Sequence, residues 1–133
     1  MAYLSEKIEQ LEKAFVSWKE SLDAPRSDLS RDAAIQRYEF SFELFWKTVK
    51  IYLKEIEGVE CVSPKSCFRE VRNVLDLSEE EIETCISMAE DRNLSVHTYS
   101  EKMAMELFEK FPGYLETAEK ILGKIKERAK IDE

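Results

Sequence analysis

The chain has 133 residues and a formal net charge of −8, with 28 acidic side chains against 20 basic ones. That length fits one domain over 1–133, with enough chain to bury a core. The charge excludes a broad nucleic-acid track, since such binding is driven by basic side chains that release counterions; any RNA contact must be local, or follow assembly with a partner.

Three Gly and three Pro are few, and Glu, Lys, Leu, Ile and Ala are plentiful, so the composition favours helix. Cys61, Cys67 and Cys85 form an odd set without a CxxC pair, and a lone His gives no zinc cluster. The expectation is a reduced, cytoplasmic protein, with Cys67 and Cys85 as small apolar core residues and neither metal nor cofactor. The opening MAYLSEKIEQLEKAF carries acidic residues early and lacks the apolar stretch of a signal peptide. No run approaches the roughly eighteen apolar residues that cross a bilayer, so no membrane role is expected.

The first predicted helix covers residues 3–23, where Leu4, Ile8, Leu11, Phe15, Trp18 and Leu22 form one apolar stripe. Pro25 and a cluster of turn formers end it. The second, residues 31–57, carries two stripes. Ile35, Tyr38, Phe42, Phe45, Val49, Tyr52, Leu53 and Ile56 share one face, and Phe40, Leu44 and Ile51 lie nearly opposite. Two stripes imply a central helix or one that also packs on another chain, and a homodimer is expected. Glu39, Glu43, Lys47 and Lys50 run between them, with Glu43 and Lys47 at the favourable i,i+4 spacing. Gly58 is a natural stop.

Ser63 and Pro64 read as an N-cap and first helical residue of a short helix reaching Leu75. Ser78 and Glu81 match a capping box opening another helix. That helix runs up to or through residues 92–99 before Ser100 caps a new one. Pro112 and Gly113 are expected to break the chain again, leaving a last helix marked by Tyr114, Leu115, Ala118, Ile121, Leu122 and Ile125. Its basic end, KIKERAK, suits the helix dipole. No strand-like alternation persists. The expected class is all-α, an antiparallel up-and-down four-helix bundle with one or two short extra helices.

The stretch that carries chemistry is Arg-Asn-Leu-Ser-Val-His-Thr-Tyr at 92–99, which holds the chain's one histidine. His97 can exchange a proton near neutral pH, Arg92 offers a planar fork of donors to a phosphate, and Tyr99 adds a hydroxyl. The plainer alternative is a histidine closing a helix end with Arg92 on the surface. On one continuous helix Arg92 and Tyr99 lie about 20° apart, whereas Arg92 and His97 diverge by about 140°. Arg92 and His97 converge on one ligand if the helix ends near Ser95, or if a second subunit brings its own copy close. A Gly-rich phosphate loop, GxSxG, HExxH and an Asp pair for magnesium are all missing from the sequence.

Residues 31–47, RDAAIQRYEFSFELFWK, together with EDRNLSVHTY at 90–99, resemble the nucleotidyltransferase substrate-binding proteins, small helical members of the HEPN superfamily. The resemblance covers nearly the whole chain. It implies an up-and-down four-helix bundle that dimerises and associates with a minimal nucleotidyltransferase. It also implies a toxin-like, metal-independent ribonuclease through an Arg-X4-6-His motif, which Arg92 and His97 match. In related toxin–antitoxin pairs the motif extends to Arg-X4-His-X-Tyr, and the partner transfers AMP to the tyrosine, here Tyr99, with Asn93 in the same substrate-binding stretch. One departure is Thr98, where the toxins often carry Gly. The alternative within the family is a non-catalytic nucleotide- or substrate-binding subunit.

Overall fold

In a computed structural model, which describes residues 2–97 and 100–130, the chain is all-α. Helix α1 spans Ala2–Asp23, α2 Asp28–Tyr52, α3 Pro64–Leu75, α4 Glu79–His97 and α5 Glu101–Arg128. A π-helical turn, Leu53–Glu57, extends α2 and ends at Gly58 in the left-handed conformation. Four long helices and one short one match the expected bundle. Contacts give its directions: α5 is antiparallel to α1 through Lys126 on Glu12 and Phe111 on Trp18, and antiparallel to α4 through Lys110 on Asp91 and Lys124 on Glu81.

The helix starts follow local chemistry. Ser27, Ser63 and Ser100 each accept from the backbone N–H three residues on. Ser78 and Glu81 form the reciprocal pair that the sequence predicts, at 3.0 and 2.8 Å. Ser27 moves the start of α2 to Asp28, three residues ahead of the sequence expectation.

Helix α2 packs against all four other helices, which accounts for its two-sided pattern. Tyr38, Phe42, Phe45, Val49, Tyr52 and Leu53 are buried. Trp18 and Phe111 meet edge-on at 5.4 Å, Tyr38 and Phe111 lie 4.9 Å apart, and Phe45 reaches Phe68 at 5.3 Å. Each such side chain contributes about 1.5–3 kcal/mol by leaving water. On the opposite side Leu44 and Ile51 are half-buried against the chain's own core, and Phe40 remains 42 % exposed.

Two expectations are corrected. Pro112 and Gly113 do not break the chain: α5 is continuous from Glu101 to Arg128 with Pro112 inside it. Pro costs a helix interior about 3 kcal/mol, but Phe111, Tyr114 and Leu115 beside it are all buried, and that packing offsets the loss. Cys67 is not a separate thiol. It is buried at the first turn of α3 and joined in a disulfide to Cys61, while Cys85 is free and buried. Spacing alone hid the pair, because Cys61 lies in the loop before α3 and the helix start folds Cys67 back onto it.

Candidate functional site

The C-terminal part of α4 is fixed by three consecutive side chains that reach three different helices. Successive helical residues turn by about 100°, so neighbours in sequence diverge in space. Glu90 pairs with Lys65 of α3 at 3.1 Å. Asp91 accepts from the Tyr114 hydroxyl of α5 at 2.5 Å and from the Lys110 ammonium at 3.2 Å. Arg92 faces α2, with Glu39 at 3.5 Å and Glu43 at 3.8 Å. Its side chain is 22 % exposed, at the edge of the core rather than free in solvent.

Supporting contacts stiffen this frame. Glu43 also accepts from the indole N–H of Trp46 at 3.2 Å and keeps Lys47 at 3.8 Å, the i,i+4 pair read from the sequence. The hydroxyl of Tyr38 donates to the Met88 carbonyl at 2.6 Å, one turn before Arg92, and its ring stacks on Tyr114 at 6.2 Å. Burial pushes the Tyr38 phenol well above its ordinary range, with the nearby Asp91 charge acting the same way. Tyr114 is raised first by burial and then by its bond to the Asp91 carboxylate. Both phenols therefore stay neutral hydrogen-bond donors at physiological pH.

Helix α4 extends to His97, so the backbone does not end near Ser95. On this helix the Arg92 and His97 positions are separated by about 140°. Asn93 is exposed beside Arg92, as is Leu94. The side chain of His97 and the whole of Thr98 and Tyr99 lie outside the described residues. Helix α5 resumes at once, with Ser100 as cap, and Glu101 pairs with Arg31 at 3.7 Å. That contact sets the start of α5 beside the start of α2.

Sequence reasoning missed Glu39, Glu43, Asp91 and Tyr114 as the partners of this helix end. The signal available was the acidic pair at 39 and 43, placed between two apolar stripes where a cation from another helix could meet it. Among the described residues no group of three or more His, Cys, Asp or Glu side chains could hold a metal ion. Nor is any described helix long and apolar enough to cross a membrane.

Comparison with known proteins agrees with this architecture. A crystal structure of a protein from Thermus thermophilus is 43 % identical, with 87 % of this chain and 98 % of that one covered and a TM-score of 0.83. No curated protein matches the chain. The family model described as nucleotidyltransferase substrate binding protein like matches residues 4–127, and the chain belongs to that family.

Proposed function

We propose that this chain is a HEPN-type, toxin-like component of a two-protein system with a minimal nucleotidyltransferase, and that its working residues are those of the 92–99 stretch, Arg92, Asn93, His97 and Tyr99. Family membership supports the partnership. The observation that carries the site is the anchoring of Arg92: two α2 carboxylates hold its guanidinium at the edge of the core, a placement suited to a phosphate-directed group. Because Arg92 and His97 diverge on one helix, a homodimer in which each copy completes the other's site fits the geometry.

The chemistry such a site supports is metal-independent RNA cleavage. His97 takes the proton of a ribose 2′-OH, the 2′-oxygen bonds to phosphorus, and the P–O5′ bond breaks as the leaving oxygen takes a proton from water, whose hydroxide recovers the proton held by His97. Arg92 stabilises the charge that builds on the phosphate oxygens. Transfer of AMP to Tyr99 by the nucleotidyltransferase would add charge and bulk to the 92–99 motif and silence the site.

A second reading, a non-catalytic subunit that binds nucleotide or presents substrate to its partner, is favoured by the same carboxylates. Glu39 and Glu43 offset part of the Arg92 charge, which weakens stabilisation of a transition state more than it weakens the simple holding of a phosphate. Induction of the protein alone, with and without its nucleotidyltransferase, separates the two. Growth arrest that is relieved by the partner and lost in His97→Ala supports the ribonuclease. Unimpaired growth and no RNA cleavage by the purified chain would discard it in favour of the binding subunit. Intact-mass measurement with the partner, ATP and magnesium tests the modification, which Tyr99→Phe should abolish.

A further inference from the structure

We propose that the groove between the end of α1 and the middle of α5 binds a nucleobase bearing an exocyclic amino group. The groove is open to solvent, offers about 410 Å³ and is lined by Leu22, Ala24, Arg26, Phe108, Glu109 and Pro112. That volume falls within the span of small-molecule sites, about 300–1,000 Å³. Its walls combine what a base requires. Leu22, Ala24 and Pro112 offer apolar surface to a flat ring. Arg26 is exposed, and its guanidinium lies 5.0 Å from the Phe108 ring centroid, a cation and an aromatic stacked at the groove edge. Planar guanidinium and aromatic faces are the surfaces on which bases stack.

Beside the donating Arg26 guanidinium, the groove offers acceptors. Glu109 contributes a carboxylate, and Pro112, having no N–H, supplies no helix donor to the carbonyl of Phe108 four residues earlier. Acceptors favour a base that presents an exocyclic amino group, as adenine, cytosine and guanine do and uracil does not. Among the described residues no carboxylate forms an ion pair with Arg26, so its charge is available to a nucleotide phosphate.

The location also fits. Arg26 precedes α2 by two residues, and Arg31 near the start of α2 pairs with Glu101, two residues after Tyr99. Phe108 lies seven residues further along α5, about 10 Å of helix. The groove thus flanks the end of the bundle that carries the Arg92 motif. The inference deepens the reading of that end as a nucleotide-handling site, while standing on separate residues.

Amide NMR titration of the full chain with AMP, UMP and ribose 5-phosphate tests it. AMP should shift the amides around Leu22, Arg26 and Phe108, UMP should bind at least several-fold more weakly, and ribose 5-phosphate, whose phosphate can meet only Arg26, should bind more weakly still and leave the amides around Leu22 and Phe108 unmoved. Arg26→Ala should weaken AMP about tenfold with an unchanged melting temperature, because the side chain is exposed. Phe108→Leu, which keeps the apolar volume, should weaken it comparably. Equal binding of ribose 5-phosphate and AMP, an unaltered affinity in Arg26→Ala, or no AMP-dependent shift at millimolar ligand would each overturn the groove. Loss of binding in Arg92→Ala with retention in Arg26→Ala would move the nucleotide to the Arg92 site and leave the proposed function standing. AMP binding that depends on Arg26 in a chain with neither ribonuclease activity nor partner would uphold the groove and sink that function.

Discussion

The Tyr114 hydroxyl and the Asp91 carboxylate are joined at 2.5 Å, tying α5 to α4 one residue before Arg92. Asp91 is 17 % exposed, and hydrogen bonds to charged groups contribute about 1.5–3 kcal/mol. Tyr114→Phe should therefore lower the unfolding free energy by about 1–2 kcal/mol in urea, without loss of helix content. Because Lys110 also reaches Asp91, the double variant Tyr114→Phe/Asp91→Asn should be less damaging than the sum of its parts. Additive costs would show that the two groups do not interact in solution.

Glu81 links stability to pH. The Ser78 backbone N–H holds its carboxyl below the usual range, burial works against this, and the Ser78 hydroxyl assists. A depressed carboxyl contributes stability above its unfolded pKa and loses it as pH falls through the folded value. Glu81→Gln should cost about 0.5–1 kcal/mol at pH 7, with the gap to wild type closing below about pH 4. A gap independent of pH would assign the cost to packing instead.

The thiols should respond in a fixed pattern. Burial pushes Cys85 up to about 12, so native protein should resist alkylation at pH 8. Unfolding without reductant should release one reactive thiol, and unfolding with reductant three, since Cys61 and Cys67 are bonded. Three thiols without reductant would mean that the pair is open in the isolated protein.

Phe40 is the cleanest probe of self-association, being 42 % exposed on the side of α2 away from the core stripe. Sedimentation at micromolar concentration should show a dimer that Phe40→Glu weakens at unchanged melting temperature. Leu44→Glu should both weaken association and destabilise the fold, as Leu44 also packs on the chain's own core. A wild-type monomer that tolerates Phe40→Glu without consequence would dismiss the interface.

The starts of α3, α4 and α5 were legible in the sequence because Ser63, Ser78 and Ser100 act through neighbours three residues away. The continuity of α5 was not, since Pro112 is a local breaker and the side chains that override it, Phe111, Tyr114 and Leu115, act through partners far along the chain. The site divides the same way. Arg92 stood out by its chemistry, but its anchors at Glu39 and Glu43 lie about fifty residues upstream, and no spacing rule spans that gap. Nothing in the local sequence marks Asp91 apart from Glu90, and the 100° turn between them is what sends each to a different helix.

That turn also makes α4 behave as a keyed shaft. Glu90, Asp91 and Arg92 engage α3, α5 and α2 at three bearings around its axis, so it can neither slide nor rotate without releasing all three. One residue inserted or deleted within 82–89 would swing the three keys together by about 100° and present each to the wrong neighbour. Length variation should thus be resisted within α4 more strongly than in the loops that flank α3.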